Sequence, residues 1–161
     1  MTRNLLYLIA FLLHGCATWG PAAPLQAPVQ APPRAERSEA LLQALLALGL
    51  DYRRGGNSPV TGFDCSGLVA HVYKEAWGVR LPRTSDAQSQ AGVPVSLAEL
   101  QAGDLLFYDT LKRPFSHVGI YLGDGKFVHA PKSGAQVRIE SVKGAYWVQR
   151  FSGARRIDTP L

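Results

Sequence analysis

The apolar residues of this chain fall into short runs with two rhythms. Leu41, Leu42, Leu45, Leu46 and Leu48 recur at helical spacing and predict a first helix that starts near Glu36, with Ser38 as its cap and Gly49 as its stop. Gly55-Gly56, Ser58-Pro59 and Gly62 then mark a long loop. A second helix follows, because Leu68, Val69, Val72 and Ala76 share one face and Asp64 stands where a capping carboxylate belongs. Further along, FSHVGIYLGDGKFVHAP reads as a hairpin, with strand His117 to Leu122, a turn at Gly123-Asp124-Gly125 and a return strand Lys126 to Ala130. The pattern is that of a mixed α and β protein, and 161 residues leave room for one folded domain.

The amino terminus has a different character. Arg3 precedes an apolar run from Leu5 to Leu13, which is shorter than the roughly 20 residues a membrane span requires and is expected to be a removable signal peptide over residues 1–15. Leu13-His14-Gly15-Cys16 resembles a bacterial lipobox, which implies a lipid on Cys16 and a membrane anchor there; His14 departs from the small residue usual at its position. The alternative is ordinary secretory cleavage without lipid. Pro21, Pro24, Pro28, Pro32 and Pro33 then favour extended chain, so residues 16–35 are expected to be a spacer and residues 36–161 the domain.

Composition narrows the class further. With 47% hydrophobic and 18% charged residues the domain is globular rather than disordered. The formal charge of +5 favours an anionic partner, but the Lys and Arg residues are scattered and not interleaved with aromatics, which argues against nucleic acid. Two cysteines in regions of opposite character exclude a disulfide framework.

Cys65 sits where the long loop becomes the second helix. A helix start carries partial positive charge and free N–H groups, which favour a thiolate, and the flanking Asp64, Ser66 and Gly67 are poor apolar packing. A buried structural thiol is the other reading of a lone cysteine. A nucleophilic thiol needs a base. Of the four histidines, His14 belongs to the leader and His71 points to another side of the helix than Cys65. His117 and His129 stand at the same open end of the predicted hairpin, where one ring can orient the other. A zinc site made of Cys65, His117 and His129 is the chemical rival, but no close C-x-x-C or H-x-x-x-H pair is present, so neither a metal nor another cofactor is expected.

The blocks FDCSGLV, LPRTSDAQ, LQAGDLLFYD, SHVGIYLGDGKFVHAP and YWVQRF with GARRI resemble the NlpC-type family of peptidoglycan endopeptidases in order and spacing, from Leu41 to Ile157. The resemblance implies an α+β fold with a papain-like core, in which an antiparallel sheet packs on helices and the nucleophile lies at a helix N-terminus. It implies Cys65 as nucleophile, His117 as base and His129 as the orienting third member. Tyr52 matches the tyrosine of a Tyr-x-x-Gly-Gly motif that assists substrate or oxyanion binding, and Asp64 and Ser66 match positions that shape the substrate groove. Arg54 stands where the family often has an aromatic residue, which bears on groove specificity. Arg83 and Asp104 read as structural.

The expected chemistry is attack of the Cys65 sulfur on an amide carbonyl, with His117 carrying the proton and the Cys65 N–H holding the oxyanion. The implied substrate is a peptidoglycan stem peptide, cut either at the D-alanyl-diaminopimelate cross-link or at the γ-D-glutamyl-diaminopimelate bond; likeness to short lipoproteins inclines toward the cross-link. The implied address is the periplasmic face of the outer membrane. The rivals are a non-catalytic wall-binding module and a thiol amidase or acyltransferase on the same fold.

Overall fold

The computed structural model describes residues 34–158, so the expected signal peptide, the Cys16 lipid site and most of the spacer lie outside the described residues. Helix α1 (Arg34–Leu46) leads into a turn that Gly49 closes with a left-handed backbone. A small ladder pairs β1 (Asn57–Ser58) with β2 (Gly62–Phe63), and α2 (Cys65–Trp77) follows at once. After α3 (Ser85–Gln88), β3 (Val93–Val95) and a single 3-10 turn come β4 (Leu105–Tyr108), β5 (His117–Gly123), β6 (Lys126–His129) and β7 (Arg138–Ser141). Helix α4 (Ala145–Val148) and β8 (Phe151–Arg156) complete the domain. Six strands form one sheet in the order β3-β8-β4-β5-β6-β7, with every pairing antiparallel.

One face of this sheet packs on the helices. Leu68, Val69, Val72 and Tyr73 of α2 join Leu105, Phe107, Val118, Ile120 and Val128 in a dry core, each at most 2% exposed. The opposite face carries Leu106, Tyr108, Phe127 and Ala154 beneath Trp147 of α4. The alternation of strand side chains assigns neighbours such as His117 and Val118 to different faces.

The first helix differs from its expected form in two respects. It starts at Arg34, so Ser38 lies inside it rather than at its cap. The face turned to α2 is also not the leucine face: Ala40, Ala44 and Ala47 are buried, whereas Leu42, Leu45 and Leu46 are 50%, 45% and 66% exposed. Small side chains spaced i, i+4 and i+7 let two helices approach closely, and that contact wins over the larger apolar groups.

Candidate active site

Asp64 fixes the start of α2. Its Oδ1 accepts from the Gly67 N–H at 2.7 Å, which makes it the N-cap that the sequence predicts, and its Oδ2 accepts from the Gly55 N–H at 2.9 Å. Arg83 donates to both carboxylate oxygens, at 2.9 and 2.8 Å, and also to Ser66 Oγ at 3.1 Å. Burial pushes the Asp64 carboxyl up, but Arg83 and the two N–H donors outweigh it and hold the group below its ordinary range. Gln88, fully buried, donates to the Ser66 and Pro82 carbonyls. Gly67 has no room for a side chain: a Cβ there would lie 2.1 Å from the Gly56 carbonyl oxygen, so the double-glycine loop rests directly on the first turn of α2. Asp64 and Ser66, expected to shape the substrate groove, thus belong to an internal network organised by Arg83, and Ser66 is buried.

The histidines come from the hairpin. Its turn has left-handed backbone at Asp124 and Gly125, the geometry of a tight two-residue connection, and a bulge at Gly123 sets the register. That register places His129 opposite Gly119 and makes His117 its diagonal neighbour on the same face. The His117 Nε2 and His129 Nδ1 lie 2.8 Å apart with the rings perpendicular, which brings together the pair singled out from the sequence. Trp147 stacks on His117 and meets His129 edge to face. The loop entering β5 is pinned by Ser116 Oγ, which accepts from the N–H groups of Thr110 and Leu111, and it contains two strained non-glycine residues, Lys112 and Phe115, with positive φ.

Cys65, partly buried, meets the start of β5 from the helix side. The backbone of Val118, one residue beyond His117, and the backbone of Ser66 and of Cys65 itself act on its sulfur in the direction that favours the thiolate. His117 Nε2 is committed to His129, so Nδ1 is its other, uncommitted ring nitrogen. Tyr52 packs against the same core and senses the charges of Cys65 and Asp64 after burial, all of which raise its phenol pKa. His71 rests against Phe63 at 5.1 Å. Asp104 is bound by Arg156 through Nε at 2.9 Å and Nη2 at 2.7 Å, a structural clamp remote from the thiol.

Electrostatics depart from the sequence expectation at one point. Burial pushes the Cys65 thiol up, and this outweighs the N–H groups of the helix start. Burial also lowers His117 to about 3, assisted by His129, and lowers His129 to about 4 against the opposing pull of Glu140. Burial thus favours the uncharged forms of the Cys65 thiol and of both imidazoles. Among the described residues no group of three or more His, Cys, Asp or Glu side chains is arranged to hold a metal ion.

Glu140, Trp147 and the Val118 N–H were not legible beforehand. Glu140 lies on β7, a strand whose alternation is weak, and its role depends on the β6–β7 register, which sets Phe127 opposite Glu140 and His129 opposite Arg138. Two grooves flank the site. One is lined by Thr110, Lys132, Arg138, Glu140, Tyr146 and Trp147, the other by Asn57, Gly67, His71, Lys74 and Arg83. A larger apolar hollow between Leu100, Tyr121, Val142 and Phe151 lies on the sheet face away from the thiol.

Residues 49–156 match the NlpC/P60 family, which is two thirds of the chain. The chain belongs to the NlpC/P60 family. It is 42% identical over 124 residues to the murein DD-endopeptidase MepH of Escherichia coli K12, covering 75% of this chain and 46% of that protein. It is 40% identical over 111 residues to the γ-D-glutamyl-L-lysine dipeptidyl-peptidase of Bacillus cereus, covering 68% of this chain and 33% of that protein. The crystal structure of the NlpC/P60 domain of the peptidoglycan hydrolase SagA superimposes with a TM-score of 0.66 at 32% identity, covering 75% of this chain and 98% of that one. The α+β papain-like fold is thereby established, while the chain spans less than half the length of these two curated relatives.

Proposed function

We propose that this NlpC/P60 protein is a cysteine endopeptidase of the bacterial cell wall that hydrolyses amide bonds in peptidoglycan stem peptides. The observation that carries the reading is the 2.8 Å contact between His117 and His129 at the strand end that meets Cys65. The Cys65 thiol gives its proton to Nδ1 of His117 as sulfur attacks the carbonyl carbon. The resulting oxyanion is held by the Cys65 N–H at the helix start, and Tyr52 stands on the same side. The amine leaves with the His117 proton, and water, deprotonated by His117, resolves the thioester to acid and free thiol.

The substrate class rests on the names of the relatives and on charge. Each flanking groove carries an exposed lysine, Lys132 in one and Lys74 in the other, which suits a peptide bearing free carboxylates. Of the two bonds, the D-alanyl-diaminopimelate cross-link is favoured by the likeness to a murein DD-endopeptidase. Anchoring through a lipid on Cys16, with residues 16–35 as a tether on the periplasmic side of the outer membrane, completes the proposal and rests on the leader pattern alone.

Mass spectrometry of cross-linked muropeptides after incubation with the protein tests the substrate and the bond. The expected products are the two uncross-linked monomers, absent with Cys65→Ala. Stems shortened at the γ-D-glutamyl bond would move the assignment to that bond, and an untouched substrate would contradict the peptidase reading.

A further inference from the structure

The carboxylate of Glu140 is gathered from two sides. Oε1 accepts from Arg138 Nε at 2.6 Å and lies 2.5 Å from its Nη2 in an ion pair, and Oε2 accepts from the Trp147 indole N–H. Burial pushes this carboxyl up, but Trp147, Arg138 and His129 outweigh it and keep the group ionised. One neighbour remains incompletely served. His129 is fully buried, and its Nε2 lies 3.4 Å from Glu140 Oε1, too poorly aligned for a hydrogen bond and with no other partner among the described residues.

A buried imidazole nitrogen that faces a carboxylate carries its proton there, because two opposed lone pairs in a dry site repel. With the proton on Nε2, the Nδ1 of His129 is an acceptor, and the 2.8 Å contact is a donation from the His117 Nε2–H. His117 Nδ1 is then a bare lone pair, the form that can take the thiol proton. The other tautomer reverses every bond: a proton on His129 Nδ1 would donate to His117 Nε2, and the His117 proton would sit on Nδ1, facing the thiol and unable to accept. The state of His129 thus decides whether His117 is a base.

We propose that Glu140 is a positioning residue that fixes the tautomer of His129 and, through it, holds His117 in its basic form. Arg138 and Trp147 hold the carboxylate in place, and Trp147 also stacks on His117 with ring centroids 5.7 Å apart. The titratable and charged groups facing this corner are His117 from β5, Arg138 and Glu140 from β7, and the Tyr108 phenol from β4, which Glu140 drives upward after burial. From α4 comes the neutral Trp147. The proposal rests on Cys65 and His117 as nucleophile and base, and not on which bond is cut.

Nitrogen-15 NMR of the histidine-labelled full chain at neutral pH reads the tautomers without turnover. Wild-type protein should show protonated Nε2 and bare Nδ1 on both His117 and His129. Glu140→Gln retains an acceptor and should keep that pattern. Glu140→Leu should redistribute the tautomers, slow iodoacetamide alkylation of Cys65 at neutral pH, and lower kcat on a cross-linked muropeptide by at least about tenfold with KM little changed. Arg138→Met, which loosens β7 but leaves the carboxylate, should keep both tautomers. A wild-type His129 protonated on Nδ1 overturns the proposal, and so does a Glu140→Leu protein that melts lower but keeps the wild-type tautomers and alkylation rate. If Glu140→Leu does not fold, the wild-type tautomer alone decides. Correct tautomers in a protein that leaves muropeptides intact would contradict the peptidase reading and not this one.

Discussion

Asp64 and Glu140 are two carboxylates, each tied to one arginine, the first at the helix start beside Cys65 and the second beside the paired histidines, and their surroundings differ. Asp64 receives two backbone N–H groups, both Arg83 nitrogens and the Ser66 hydroxyl, so both oxygens of this carboxylate are matched, although Gln88 Oε1 behind Ser66 is buried without a partner among the described residues. Glu140 is also well bound, but it leaves the buried Nε2 of His129 at the edge of hydrogen-bond reach. The contrast divides the labour of the site. A dense set of hydrogen bonds fixes the start of the helix that bears Cys65, the nucleophile's platform, whereas on the other side two buried rings pair closely with each other at 2.8 Å and only loosely with the carboxylate at 3.4 Å.

The sharpest break between the two sides is His117→Ala. It should lower turnover by at least about a thousandfold while the platform keeps the fold, because the base is lost and the Asp64 network is untouched. Steady-state hydrolysis together with a thermal melt checks both halves, and a variant that retained turnover would return the base assignment to His129.

The two sides should also respond to acid in different windows. His117 and His129 have folded values of about 3 and about 4, below the ordinary 6.5, so the unfolded chain binds more protons between those limits. Their contribution is present above pH 6.5 and is lost as pH falls toward those values, on the order of a few kcal/mol in all. Asp64, held below its ordinary 3.8, should contribute its loss only at lower pH. Urea denaturation from pH 7 to pH 4 should show a slope that is flattened in the His117→Gln, His129→Gln double variant; an unchanged slope would assign the acid sensitivity elsewhere.

On the platform side, Gly67→Ala drives a methyl into the Gly56 carbonyl and should cost about 2–3 kcal/mol of stability, since the contact is backbone and cannot swing away. Arg83→Met should cost about 1–2 kcal/mol, because Arg83 is 43% exposed and water replaces part of what Asp64 loses. Denaturant midpoints measure both. If Arg83→Met proved the more damaging, the ion pair rather than the close approach of loop and helix would be the platform's main tie.

These contrasts show what a reader of the chain can reach. The start of α2 at Cys65, its Asp64 cap and the pairing of the hairpin histidines were legible because each stands at a local signal, a helix cap or a tight glycine turn. The face of α1 was not, because hydrophobicity ranks Leu42 and Leu46 above Ala40 and Ala44, while close helix contact selects the smaller residue. The thiol's upward shift was hidden as well, since desolvation depends on how β5 covers α2. Glu140 was missed because its meaning lies in a cross-strand register and in a tryptophan from another element.

The most direct test of the account is the mass of the protein itself, taken by rapid quench during turnover of a cross-linked muropeptide. The account predicts a transient increase equal to the acyl part of the substrate, located on Cys65 and absent from Cys65→Ala and His117→Ala. Cleavage by Cys65→Ala at a rate near that of the unaltered protein would contradict it.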